Sequence, residues 1–183
     1  MTLEQELLAY QPANEQEARD LPKMLAFLRE GETPFDRANE TAHFTASAWV
    51  IGRETGKVLL IYHNIYQSWA WTGGHADGES DLLAVARREA QEETRIEHLT
   101  PIQTGAISLE ILDVPSHVKR GRFVPCHLHL NMTYAFVGDD RDALQNKADE
   151  NRAVQWLPID KLADFVAEPA MLPIYRKILQ RII

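Results

Sequence analysis

The stretch that most constrains this chain is Asp81–Thr94, DLLAVARREAQEET, which contains strong helix formers throughout and no glycine or proline. On a helix at about 100° per residue, Glu89, Glu92 and Glu93 fall within an arc of about 100°, so three carboxylates converge on one side. Like charges at these spacings repel and weaken an isolated helix. A cation among them removes the conflict, and clustered carboxylate oxygens suit hard ions such as Mg²⁺ or Mn²⁺. By itself the run suits a solvated acidic face equally well.

The preceding residues shift that balance. Gly73 and Gly74 sit before the helix and let backbone approach a ligand closely, with the Gly73 carbonyl available to a metal shell. Leu82, Leu83, Ala86 and Ala90 form an apolar stripe beside the carboxylates, so loop and packed helix are specified together.

The formal net charge is −8. Gripping a nucleic-acid backbone requires a basic face, so nucleic acid is not an expected partner. An acidic protein still handles phosphates when a divalent cation bridges the two negative groups. Lys119, Arg120 and Arg122 form the main basic cluster, in the character of a solvated loop. Cys126 is the single cysteine, which excludes an intrachain disulfide and points to a reducing compartment. The segment MTLEQELLAYQ lacks the basic and apolar regions of a signal peptide, and no apolar run approaches the ~20 residues of a membrane span. A soluble cytoplasmic protein without membrane partners is expected.

Along the chain, residues 15–30 read as a helix, with Asp20 as its cap and Gly31 as its stop. Strands are expected at 43–51 and 57–63, then a Trp- and Gly-rich loop over 66–80, then the acidic helix. Further strands are expected near 102–113, 125–137 and 152–157, and helices at 159–166 and 172–183. Helices before, within and after the strands imply an α/β fold, a mixed sheet covered on both faces.

The segment 73–96, GGHADGESDLLAVARREAQEETRI, resembles the Nudix box, G-x5-E-x7-R-E-U-x-E-E-x-G-U with U a bulky aliphatic residue. HFTASAWVI and HLHLNMTYAF add to the likeness, which spans most of residues 35–160. Three departures stand out: Glu79 to Arg88 is one residue too long, Ala90 is small, and Arg95 replaces the glycine after the helix. The economical alignment keeps REAQEE in place, lets the loop absorb one residue and makes Glu79, not Ser80, the first box glutamate.

The resemblance implies a Nudix α/β/α sandwich around a mixed β-sheet over residues 41–183, with an added N-terminal helical extension over 1–40. It implies hydrolysis of a phosphoanhydride bond in a nucleoside diphosphate linked to another group. Mg²⁺, or Mn²⁺ in its place, would be held by Glu89, Glu92, Glu93 and the Gly73 carbonyl. Arg88 would hold the glutamates in register, and Glu92 or Glu93 would be the base. The family also uses bases outside the box, and Glu150 is the candidate here, against an exposed turn acid. A homodimer is common among such proteins.

Outside the box, His127, His129, Asn131 and Thr133 alternate onto one strand face and suggest either a wet cleft beneath the metal helix or a strand with one exposed face. His75, His127, His129, Trp71 and Arg122 are the substrate-binding candidates, Trp71 with Trp69 by stacking and Arg122 by reaching a phosphate. A zinc site from His117, His127 and His129 is conceivable, although the spacing is not diagnostic. Two rival classes remain. An isopentenyl-diphosphate isomerase-like enzyme needs a cleft cysteine, whereas Cys126 alternates away from His127. A non-catalytic nucleotide-binding sensor would carry a broken box or a second domain. The substrate itself is set by side chains outside the box.

Overall fold

The computed structural model describes residues 1–119 and 121–182, so Arg120 and Ile183 lie outside the described residues, and of Lys119 only the backbone is described. Two helices open the chain, α1 (Leu3–Ala9) and α2 (Glu15–Glu30). They are followed by β1 (Ala42–Gly52), β2 (Val58–His63), β3 (Ser68–Ala70), β4 (Thr72–His75) and α3 (Leu82–Thr94). Next come β5 (Leu99–Pro101), β6 (Ser108–Val114), the hairpin β7 (His117–Lys119) and β8 (Arg122–Val124), then β9 (His127–Gly138) and β10 (Asn151–Leu157). A 3₁₀ turn (Ile159–Lys161), α4 (Leu162–Phe165) and α5 (Met171–Ile182) end the described chain.

The main sheet has eight strands on the path β10-β2-β1-β9-β5, with β3 beside β2, β4 beside β1 and β6 beside β9. It is mixed, because β1 and β9 run parallel over eleven partner pairs from Ala42–Leu128 to Gly52–Gly138, whereas the other pairings are antiparallel. β1 is buried along nearly its whole length, as a central strand covered on both faces must be. Phe44, Ala46, Ala48 and Val50 join Leu82, Val85, Ala86 and Ala90 of α3 in one apolar cluster. Trp49 and Ala135 on the other face join Trp71, Tyr175 and Ile178 in a second.

Several expectations are corrected. Asn14 caps α2 by accepting from the Glu17 N–H, whereas Asp20 lies inside the helix and bonds Gln16 and the Ile111 N–H. The Trp–Gly segment is not a loop throughout, since β3 and β4 form there by pairing with β2 and β1. Of the stretch near 102–113 only β6 (Ser108–Val114) is strand, and β5, α1 and the β7–β8 pair had no counterpart in the reading of the chain. Strands of three or four residues are too short to show a period; neighbours already in the sheet supply the hydrogen bonds that define them.

The acidic helix matches its boundaries closely. Asp81 caps it through the Ala84 N–H at 3.1 Å, and Arg95 ends it in the left-handed region at φ 62°. Among the described residues, no helix is long and apolar enough to cross a membrane.

Candidate active site and an adjacent histidine cluster

β4 runs antiparallel to β1, with Gly73 opposite Ser47 and Gly74 opposite Ala46, and α3 packs across both strands. Strand alternation sends the two glycines to opposite faces. A Cβ on Gly74 would collide with the Glu89 carboxylate, and one on Gly73 would lie 2.6 Å from Ser47 Oγ. Gly74 therefore clears space on the helix side for a carboxylate, and any side chain there would fill it.

Glu93 is 3% exposed, and its Oε2 accepts the Gly73 N–H at 3.0 Å. Burial drives its pKa well above the ordinary carboxylate value, and the nearby Glu150 and Glu89 charges push it the same way against the Gly73 hydrogen bond. Glu89 is raised too, mainly by burial, although Arg88 opposes the shift. Arg88 Nη2 donates to Glu89 Oε1 at 3.0 Å and to the His75 carbonyl at 3.2 Å, so one guanidinium ties the helix to β4. Its Nε lies 4.0 Å from Glu92 Oε1.

Lys147 is the residue the sequence reading missed. Its Nζ is 3.5 Å from Glu92 Oε2 and 3.2 Å from Glu150 Oε2, so it draws Glu150 toward the box. The segment carrying it folds back on α3, with Gln145 N–H donating to the Thr94 carbonyl and Asn151 Nδ2 to the Glu93 carbonyl. Only this docking places Lys147 beside a residue more than fifty positions earlier; nothing in its local sequence, QNKADE, signals it.

Glu79 lies in the turn before α3, where Oε1 accepts the Asp81 N–H at 2.9 Å. Asp77 and Gly78 just before it both have positive φ, 50° and 89°.

The oxygen donors fit a hard divalent cation. Three carboxylates converge, one is buried beyond what its charged form tolerates alone, and the strand beside them lacks the side chain that would occupy the gap.

On the opposite sheet face, β1 and β9 set His43 beside His129, and Thr45 and Ser47 accompany Asn131 and Thr133. Ser47 Oγ donates to Asn131 Oδ1 at 2.8 Å. The polar row on β9 is thus real, but it faces away from the apolar stripe of α3 and does not line a cleft beneath that helix. Glu110 of β6 pairs opposite Asn131 and meets Lys177 Nζ at 2.7 Å, with Glu17 at 2.8 Å from the same ammonium.

His127, His129, His43 and His75 gather at the other end of this row, and one ligand atom from each lies within 4.8 Å of all the others. Burial, followed by the neighbouring imidazoles, holds His129 down at about 2, and burial lowers His43 as well. His117 is not a member; its Nδ1 contacts the Pro115 carbonyl on the separate hairpin. Trp71 is also corrected as a stacking platform, because its ring packs in the second apolar cluster against Tyr175, 5.2 Å between centroids. Trp69 packs edge-on to Tyr62. Arg122 is exposed on the hairpin, and Cys126 is exposed before β9.

A profile of the NUDIX domain matches residues 41–182. The CMP-5'-(N-acetyl-N-hydroxy-3-aminopropyl)phosphonate hydrolase of Streptomyces rubellomurinus is 26% identical over 66% of this chain and 54% of its own length, so the chain spans about half of that curated relative. Among solved structures, a NUDIX-family hydrolase from Clostridium perfringens superimposes with a TM-score of 0.57 at 18% identity, covering 75% of this chain and 96% of the other. A binary complex of a C. elegans Ap4A hydrolase gives 0.55 at 20% identity, covering 75% and 95%. At these identities the two structures establish the shared fold.

Proposed function

The chain belongs to the NUDIX domain family, and from that premise we propose that it hydrolyses a phosphoanhydride bond in a nucleoside diphosphate linked to another group. The observation that carries this reading is the Glu89–Glu92–Glu93 cluster on α3, set against the Gly73–Gly74 backbone with Glu93 buried and anchored to Gly73. The names of the relatives, a CMP-phosphonate hydrolase and an Ap4A hydrolase, support a small nucleotide-derived substrate.

Glu89, Glu92, Glu93 and the Gly73 carbonyl would hold Mg²⁺ or Mn²⁺. Such an ion lowers the pKa of bound water and neutralises charge developing on the bridging oxygen. Arg88 positions Glu89 through their 3.0 Å contact, and through the His75 carbonyl it keeps helix and strand in register. Water attacks phosphorus, the new P–O bond forms as the bridging P–O bond breaks, and a carboxylate takes the water proton. Glu92 and Glu93 are the candidates within the box. Glu150 is the candidate outside it, supported by the shared Lys147 contact. Glu79 assists from the turn before α3. His75 follows the glycine pair, but its ring lies with His43 and His129 on the sheet face opposite α3, so it is not assigned to the substrate phosphate. The matched region fits a catalytic unit over 41–183, to which residues 1–40 add helices.

The test is a product-resolved screen with Mg²⁺ of nucleotide sugars, dinucleoside polyphosphates, NAD-like compounds, coenzyme A and nucleoside triphosphates. The reading expects release of a nucleoside monophosphate or an equivalent phosphoryl product from at least one class, lost on adding EDTA. Tight Mg²⁺-dependent nucleotide binding without turnover would overturn it in favour of a sensor.

A further inference from the structure

We propose that His43, His75, His127 and His129 form a closed, structural Zn²⁺ site that ties β1, β4 and β9 together and is separate from the carboxylate site on α3. The residues come from three strands. His43 and His129 are direct partners in the parallel β1–β9 ladder, His127 lies two residues along the same face, and His75 opposes Thr45 on β4. Five of the six ring pairs have centroids 5.0–5.1 Å apart. Nitrogens about 2.0–2.1 Å from a tetrahedral zinc stand about 3.3–3.4 Å apart, and His127 Nε2 already stands 3.2 Å from His129 Nε2. The remaining ligand atoms, all within 4.8 Å, need only small side-chain rotations to close the shell.

The outer contacts point the same way. His43 Nδ1 is 3.0 Å from the Asn39 carbonyl and His127 Nδ1 is 2.9 Å from the Pro125 carbonyl. A carbonyl only accepts, so both Nδ1 atoms carry the proton and both Nε2 atoms turn lone pairs into the cluster. This is the arrangement that orients a metal-bound imidazole, whose second nitrogen donates to backbone. Hydrogen bonding within the cluster leaves a deficit. A proton on His129 Nε2 satisfies His127, but His43 Nε2 is buried with no hydrogen-bond partner among the described residues. An orphaned buried acceptor costs about 1–3 kcal/mol, and a cation at the centre of the four imidazoles removes the cost. An all-imidazole set of four selects a borderline transition ion over Mg²⁺, and a complete protein shell is the pattern of a structural site. The carboxylates of α3, hard and anionic, prefer the opposite kind of ion.

The experiment uses the full chain, stripped with chelator and then held in excess Mg²⁺ so that the oxygen-donor site is occupied. Zn²⁺ is titrated against a chromophoric chelator, and Co²⁺ is bound in parallel as a spectroscopic substitute. One Zn²⁺ per chain is expected, with a raised Tm and the intense visible bands of four-coordinate nitrogen-ligated Co²⁺. His129→Ala and His127→Ala should each weaken Zn²⁺ binding by more than ~100-fold, beyond the range seen for outer-contact losses, and Glu92→Gln should leave it unchanged. If a histidine variant fails to fold, the wild-type Co²⁺ spectrum still decides. Weak six-coordinate bands, no binding in excess Mg²⁺, or binding lost with Glu92→Gln and kept in the histidine variants would each overturn the site. Hydrolysis is not among the readouts, so failure here is distinct from failure of the proposed reaction.

Discussion

Gly73 donates its backbone N–H to Glu93 Oε2 at 3.0 Å, joining strand β4 to a helix position twenty residues later. The contact holds a carboxylate in an interior where burial, together with the Glu150 and Glu89 charges, favours its protonated form. Glu93→Gln keeps an acceptor for Gly73 and removes the charge. It should lower kcat at least ~10²-fold while the protein remains folded, the scale of a lost electrostatic stabiliser. The pH dependence is an independent check. A carboxyl whose folded pKa lies above its unfolded value contributes stability that is complete below the unfolded pKa and is lost as pH rises through the folded one. In metal-free protein, the Tm of Glu93→Gln minus that of wild type should therefore grow more positive as pH rises from about 4.5, and added Mg²⁺ should shrink it. Kinetics within a few-fold of wild type would remove Glu93 from the metal site, and a flat difference curve would remove its buried-charge cost.

Arg95 closes α3 at φ 62°, with its N–H bonded to the Gln91 carbonyl at 2.9 Å. A residue with a Cβ is strained there by roughly 1 kcal/mol relative to glycine. Arg95→Gly should raise Tm by about 2–4 °C, as expected for a protein of this size, and change the rate little. A lower Tm in a thermal melt would mean that Arg95 contributes contacts worth more than the strain.

The turn before α3 offers a test of the box register. Two consecutive residues with positive φ, Asp77 and Gly78, precede Glu79, and Asp81 caps α3 through the Ala84 N–H. Glu79→Gln should lower kcat about tenfold or more, as a supporting acid–base group would. Ser80→Ala should leave the rate nearly unchanged. The double swap Glu79→Ser with Ser80→Glu restores the family spacing to Arg88. If both the swap and Glu79→Gln are active, Ser80 holds the box position and the reaction proceeds without that glutamate.

Lys177 is buried between Glu17 and Glu110 at 2.8 and 2.7 Å. Burial would raise Glu17, but the Ala13 N–H and Lys177 outweigh it and hold it low; in Glu110 burial prevails. Lys177→Met removes the cation that pairs with buried Glu110, while Glu17 keeps Arg181 at 3.2 Å; deleting one partner of a buried pair costs about 3–5 kcal/mol. Urea denaturation should show that loss at pH 7 and a smaller one near pH 4, where the acids can be protonated. Equal losses at both pH values would assign the effect to packing instead.

Local chemistry determined the acidic helix and its ends. Propensity, an aspartate cap and a like-charge arc are properties of neighbours in the chain, so α3 and the placement of Glu89, Glu92 and Glu93 on one side of it were legible without coordinates. The alternation of His127, His129, Asn131 and Thr133 was legible for the same reason, since a strand's period is local. Which sheet face that row occupies was decided only by pairing, because β1 supplies His43 and β4 supplies His75 from positions far away in the chain. Trp71 went to the core because α5 brings Tyr175 to it, and Lys147 reached Glu92 because its loop docks on the end of α3. Contacts between distant segments have no period and no spacing to read; the packing of the sheet creates them.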